Sequence, residues 1–239
     1  MGVQIRERAY YNKGVRVDDE HLKRIESIIR NEWQEAYTKL TVFCENVEID
    51  YNEMSDFSSG IQDNFNIIDR LRIVYYKETR SYGDEIEIEY SNGTSVFDYP
   101  IKIHYSADNA REYTVLRNSI DQYIKTSFLS YAILSRTPIA FTVAAIIAVG
   151  LVAMGFFERM EPTVIVATVI GLADIGFLGS YKVIRRLKRM LFPLNEIYFG
   201  VNKREIDRGH KARGYLLGTV VLSIIVGLVV NLISKYIIG

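Results

Sequence analysis

Residues 85–90 read Glu-Ile-Glu-Ile-Glu-Tyr. The strict alternation places Glu85, Glu87 and Glu89 on one face and Ile86, Ile88 and Tyr90 on the other, the pattern of a strand with one wet and one packed face. Ser91-Asn92-Gly93 follows, and Asn-Gly accepts positive φ at both central positions of a tight turn. A hairpin into a strand over 95–105 is therefore predicted. Upstream, residues 40–44, 47–51 and 71–76 are rich in Val, Ile, Phe and Tyr and read as further strands of an antiparallel sheet. Two helices accompany them. Leu22, Ile25, Ile29 and Trp33 recur at three- and four-residue spacing behind Asp18, Asp19 and Glu20, which predicts a helix over 19–33. Residues 107–136 carry a second stripe (Tyr113, Leu116, Ile120, Tyr123, Ile124, Phe128), with Ser106 as its cap. Residues 55–66, rich in Ser, Asp, Asn and Gly, read as a loop. The first 106 residues are thus an α+β domain, and 107–136 an amphipathic connecting helix.

Beyond it the composition changes. Residues 139–157 contain no charge, 163–181 contain only Asp174, and 215–234 contain none. A hydrocarbon core of about 30 Å needs roughly 20 helical residues. The expectation for 137–239 is an all-α membrane domain of three transmembrane helices. The first connection, 158–161, is four residues long, whereas 182–213 holds ten Lys/Arg against three acidic residues. The positive-inside rule makes that basic loop cytosolic, and with it the N-terminal domain. The expected placement is multi-pass in the plasma (inner) membrane, with the C-terminus outside. The opening residues, Met1 to Gly14, show no basic stretch followed by an apolar core and so predict no signal peptide.

The chain has 239 residues with 29 Lys/Arg and 29 Asp/Glu. That balance conceals a partition. Residues 1–136 carry 17 basic against 23 acidic side chains, and the basic loop offsets them. Residues 39–98, with 5 basic and 13 acidic, repel nucleic acid and admit a basic protein partner. One cysteine excludes a disulfide framework, and with three histidines it leaves too few donors for a structural zinc site, so no metal and no cofactor is predicted. The phosphate-loop, dinucleotide, nucleophile-elbow, HExxH and CxxC motifs are all missing, which points to a non-enzymatic protein. Glu85, Glu87 and Glu89 read as a solvated sheet face, His21 and His104 as structural histidines, Cys44 as a small buried hydrophobe and Trp33 as core.

Within the expected spans, Asp174 is costly to ionise without a partner. Ser223 lies at matching depth on the third span and begins a series with Gly227 and Asn231 along one face. Ala167 and Gly171, and Gly176 and Ser180, form small faces for close helix packing. Two roles stay open for Asp174, Ser223 and Asn231: a polar lock between helices, or the lining of a pore shared by a homo-oligomer. Lys182, Arg185, Arg186, Lys188 and Arg189 are placed for anionic headgroups of the bilayer, or for docking on the acidic domain. Residues 191–200 form an apolar knot expected to pack at the interface or under the domain. In layout, a small α+β module joined by a helix to a few apolar helices, the chain resembles the sensor-plus-membrane effectors of prokaryotic antiviral conflict systems. The resemblance implies a sensor of a ligand or protein whose oligomeric spans respond, as a channel or by permeabilising the membrane. The other reading is a structural membrane anchor or adaptor subunit of a larger complex.

Overall fold

The alternating stretch occupies the middle of a six-stranded antiparallel sheet. The computed structural model of the protein describes residues 5–44, 47–61, 67–77, 83–92, 98–136, 147–148, 164–165, 167–171 and 182–237. Its strands are β1 (Ile5–Tyr11), β2 (Arg16–Val17), β3 (Tyr37–Cys44), β4 (Val47–Tyr51), β5 (Arg70–Tyr76), β6 (Glu85–Ser91), β7 (Ile101–Ala107) and β8 (Glu196–Ile197). The helices are α1 (Asp19–Glu32), α2 (Met54–Gly60), α3 (Ala110–Thr126), α4 (Ala132–Arg136), α5 (Lys182–Leu191) and α6 (Gly200–Ile237). The large sheet has the order β1-β7-β6-β5-β3-β4, and β2 pairs with β8 in parallel.

The inner face of the sheet carries Leu40, Val42, Leu71, Ile73, Ile86, Ile88, Ile101 and Ile103, all buried. Leu22, Ile25 and Ile29 of α1 and Leu116, Ile120 and Ile124 of α3 join the same core. Each such side chain contributes about 1.5–3 kcal/mol on leaving water, so this layer dominates the stability of the fold. Asp18 caps α1 by accepting from the His21 N–H at 3.0 Å, and Asn109 caps α3 by accepting from Arg111.

The outer face is a charge lattice. In register across the strands lie Tyr10, Lys102, Glu89, Arg72 and Thr41, and beside them Arg8, His104, Glu87, Val74 and Lys39. Lys102 meets Glu89 at 2.9 Å, Arg72 meets Glu87 at 2.5 Å and Arg70 meets Glu89 at 3.5 Å. The acids of 85–89 are therefore balanced by the bases of the strands on either side. Each exposed pair is worth about 1 kcal/mol or less, so the lattice sets register more than stability.

Several expectations change. Residues 5–11 form a strand, half-buried and exposed in alternation, although Glu7 on the inward side keeps the hydropathy from alternating with it. Residues 54–60 are helical because Phe57 is buried between Tyr51 and Phe199, at ring separations of 5.5 and 4.8 Å. The helix expected over 107–136 is broken at 127–131, where Leu129 N–H turns away to Gly14 O at 2.9 Å, and its cap is Asn109 rather than Ser106.

The larger correction concerns the membrane. Among the described residues, no helix is long and apolar enough to cross a membrane. That finding overturns the three-helix transmembrane domain and with it the multi-pass inner-membrane placement, cytosolic on one side and with the C-terminus outside. The stretch 139–157 lies outside the described residues except for 147–148, and of 163–181 only 164–165 and 167–171 are described. Residues 215–234 do not form a separate element. They continue α6, which begins at Gly200 with the charged turns of Lys203, Arg204, Glu205, Asp207 and Arg208. The basic loop is not a loop either, because most of it folds as α5, β8 and the start of α6 and joins the sheet domain. A count of apolar residues measures length and hydropathy, but it does not register where a helix begins or what its polar turns dock on.

Candidate functional site

The densest buried polar set in the described residues is a clasp that fastens the C-terminal segment to the sheet domain. Its backbone frame is β2 beside β8, with Glu196 N–H donating to Val15 O at 3.0 Å and Tyr198 N–H to Val17 O at 2.8 Å. Gly14 makes the approach possible, since a Cβ there would lie 1.6 Å from Leu194 O. Three asparagines close the frame. The Asn195 Oδ1 accepts from Val15 N–H at 3.0 Å, and its Nδ2 donates to Ser91 O at 2.8 Å and Pro100 O at 2.6 Å. Asn92 accepts from Leu194 N–H at 3.1 Å, and Asn202 of α6 brackets Ile68 by accepting from its N–H and donating to its O, both at 3.0 Å. All three are buried. Loop and strand-end backbone that cannot bond within a ladder is satisfied by amides, which offer donor and acceptor on one side chain.

Glu196 supplies the charge at the centre. It is 1% exposed, and its Oε1 accepts from Tyr131 Oη at 2.7 Å, from Arg213 Nη2 at 2.9 Å and lies 2.9 Å from His210 Nε2. Burial raises its pKa, but the hydrogen bonds from Arg213 and Tyr131 outweigh that and hold the carboxyl below the usual carboxylate range. Arg213 is itself buried and stacks on the Tyr131 ring at 4.1 Å. One carboxylate thus ties α6 to the segment that follows α3. At the far corner Arg189 of α5 meets Asp69 at 2.6 Å, and Gly209 lets α6 lie against α5, since a Cβ there would be 2.1 Å from Met190 O.

A second buried polar group lies between the sheet and its helices. His21 Nε2 is 2.9 Å from Tyr90 Oη and His21 Nδ1 is 3.1 Å from Tyr123 Oη. In either tautomer one hydroxyl donates and the other accepts, which fixes the ring. Burial pushes the imidazole down to about 4, so it is neutral at pH 7. With both nitrogens engaged and 4% exposure, His21 is held as a structural group and has no free face for an external substrate. His104 stands on the outer face, 3.9 Å from Glu85, Cys44 and Trp33 are buried in the core, and among the described residues no His, Cys, Asp or Glu cluster could hold a metal ion.

Of the residues singled out in the sequence, Arg189 reaches the sheet domain directly. Lys182 and Arg185 lie on α5, Arg186 is exposed and Lys188 half-buried. Ser223 is exposed on α6 and donates to Thr219 O at 2.8 Å, so its hydroxyl is used within its own helix. Gly227 and Asn231 also lie on α6, and Ala167 and Gly171 are exposed helical residues. Asp174, Gly176 and Ser180 lie outside the described residues. The sequence reading missed Gly14, Asn92, Asn195, Glu196, Asn202 and Tyr131. Its one signal for them was the apolar knot 191–200, whose Leu194, Ile197 and Phe199 are buried. No family model, curated protein or solved structure matches the chain.

Proposed function

We propose that this protein is a non-enzymatic coupling module: the sheet-and-helix domain senses a ligand or a protein partner, and the clasp carries the change to helix α6. The observation behind this reading is the unbroken run of bonds from α3 to α6. Leu129 and Phe128, just beyond α3, hold Gly14 and Val15; these hold Asn195 and Glu196; and Glu196 holds Arg213 and His210 on α6. A shift of α3 against the sheet would then displace α6 as a unit, because packed and hydrogen-bonded elements move in discrete steps. Beyond Gly214 the same helix exposes Leu216, Leu222 and Val226, apolar groups that a responding helix would present or withdraw.

Coupling is tested by amide exchange of residues 203–213 in the full chain, after the same methylene is deleted at two buried sites. Ile120→Val lies on α3, on the proposed route, and Ile29→Val lies at the far end of α1, off it. The proposal expects exchange in 203–213 to quicken about threefold or more for Ile120→Val and to stay near wild type for Ile29→Val. Equal responses, or none, would refute it and leave the adaptor reading, in which domain and helix are joined without communication.

A further inference from the structure

The six-stranded sheet ends in β1 on one side and β4 on the other. Among the described residues no further strand pairs with β1 at one edge or with β4 at the other. An even number of strands, every neighbour antiparallel, makes the two edge strands run in opposite directions. If one copy is set beside another in the same orientation, β4 of the first therefore meets β1 of the second antiparallel, with the helices of both on one face. The charges select this pairing. The outer face of β1 presents exposed Arg6, Arg8 and Tyr10, and that of β4 presents exposed Glu48 and Asp50, of which Asp50 is already paired with Lys39 of β3 at 2.8 Å, so that Glu48 carries the selection. Pairing β1 with β1 would set arginine near arginine, and pairing β4 with β4 would set carboxylate near carboxylate, which is how sheet edges resist self-association. Only the unlike edges attract.

We propose that a second copy of this chain docks edge to edge, β1 against β4, extending the sheet from one molecule into the next. In the register that matches all of β4 and sets both Arg6 and Arg8 against its carboxylates, Ile5 to Ala9 lie opposite Tyr51 to Val47, with Glu7 opposite Ile49. Arg8 then faces Glu48, Arg6 faces Asp50, and on the inner face Ile5 meets Tyr51 and Ala9 meets Val47. The interface joins two different patches, so it closes into a ring or grows as a filament according to the twist between copies. It is independent of the clasp and holds whether or not the clasp transmits a signal.

The test is sedimentation velocity of the full chain over a range of concentrations, at about 50 mM and about 500 mM salt. Wild type should associate at low salt and dissociate at high salt. Arg8→Glu, which sets two carboxylates opposite each other, and Glu48→Arg, which sets two guanidinium groups opposite each other, should each bind themselves about tenfold more weakly or worse while keeping the wild-type melting temperature. An equimolar mixture should associate again, because each variant supplies the edge that the other needs. A wild type that stays monomeric throughout, association that ignores either charge reversal, or a mixture that stays apart would each overturn the proposal. If one variant fails to fold, Arg8→Ala with Glu48→Ala and the wild-type salt response carry the same decision.

Discussion

Replacing Asn195 by Ala should loosen the clasp more than any single exposed substitution. The side chain makes three hydrogen bonds to buried backbone, at 3.0, 2.8 and 2.6 Å. Pro100 O keeps a partner, since it also accepts from Ser91 N–H at 2.8 Å. Val15 N–H loses the side chain it donates to, and Val15 is fully buried. Two of the bonds are worth about 1 kcal/mol each net, and the buried donor left unpaired costs about 1–3 kcal/mol, so the loss comes to about 3–5 kcal/mol. For a chain of this size that lowers the melting temperature by roughly 6–20 °C. Urea unfolding followed by far-ultraviolet circular dichroism reads the change, with Ser58→Ala as the reference because Ser58 is half-buried and makes only an exposed bond to Asp19 at 2.9 Å. If Asn195→Ala falls within 1 kcal/mol of Ser58→Ala, the amide does not hold the segment and the clasp is wrongly drawn.

Three further outcomes follow from the same geometry. Gly209→Ala should destabilise by about 1–3 kcal/mol, because its Cβ would lie 2.1 Å from Met190 O and α5 must move, whereas Gly218→Ala, with nothing within 4 Å, should be neutral or stabilise α6; thermal melts of the pair decide between these outcomes. His21 is neutral when folded down to pH about 4 but takes up a proton near pH 6.5 when unfolded. Its contribution of about 3 kcal/mol is therefore full above pH 6.5, declines as the pH falls and is lost below 4; His21→Phe should flatten that stretch of the stability curve, and an unchanged slope would count against the buried neutral imidazole. Glu196→Gln leaves the Arg213 guanidinium buried without its counter-charge and should cost about 3–5 kcal/mol at pH 7. Because the Glu196 pKa is depressed in the fold, its contribution is present above about pH 4.5 and lost as the pH falls further, so the variant should lose less stability on acidification than wild type does.

The elements of this fold that were legible in the sequence are those whose pattern is local. Glu85 to Tyr90 alternates because one face packs and the other bears paired charges, and both faces lie where alternation puts them. Leu22, Ile25, Ile29 and Trp33 share a helix stripe and are all buried. Strand β1 was illegible because it is an edge strand, whose Arg6, Arg8 and Tyr10 are exposed and whose inward Glu7 is bonded to Tyr113 and Arg117 of α3, so its hydropathy does not alternate cleanly. The clasp was illegible for another reason. Its partners stand as much as 180 residues apart, and a buried asparagine that satisfies distant backbone has the same one-letter signature as one in a surface turn. The membrane expectation failed by treating 182–213 as a hydrophilic interval between apolar runs, when Leu194 to Ile197 and Asn202 are buried against the sheet domain.

The charge imbalance between residues 1–136 and 182–213 invites an electrostatic account of how the two halves hold together, and the contacts argue against it. The basic side chains Lys203, Arg204, Arg208 and Lys211 are exposed, and among the described residues the ion pair across the junction is Arg189 with Asp69, while Glu196 pairs within its own segment with Arg213 and His210 and reaches the first half through the neutral Tyr131 hydroxyl. Asn92, Asn195 and Asn202 hold the rest, and they are neutral. Bonds between neutral groups are not screened by salt, and they demand geometry rather than sign, so the same segment displaced by one residue would find no partners. At the sheet edges the selecting groups are exposed charges, whose attraction fades beyond a Debye length and tolerates loose register. Ionic strength therefore acts on the two surfaces unequally. If copies pair at their edges as proposed, salt would release each copy from its neighbour while every copy keeps its own helix in the clasp, so assembly would be reversible without the fold being lost.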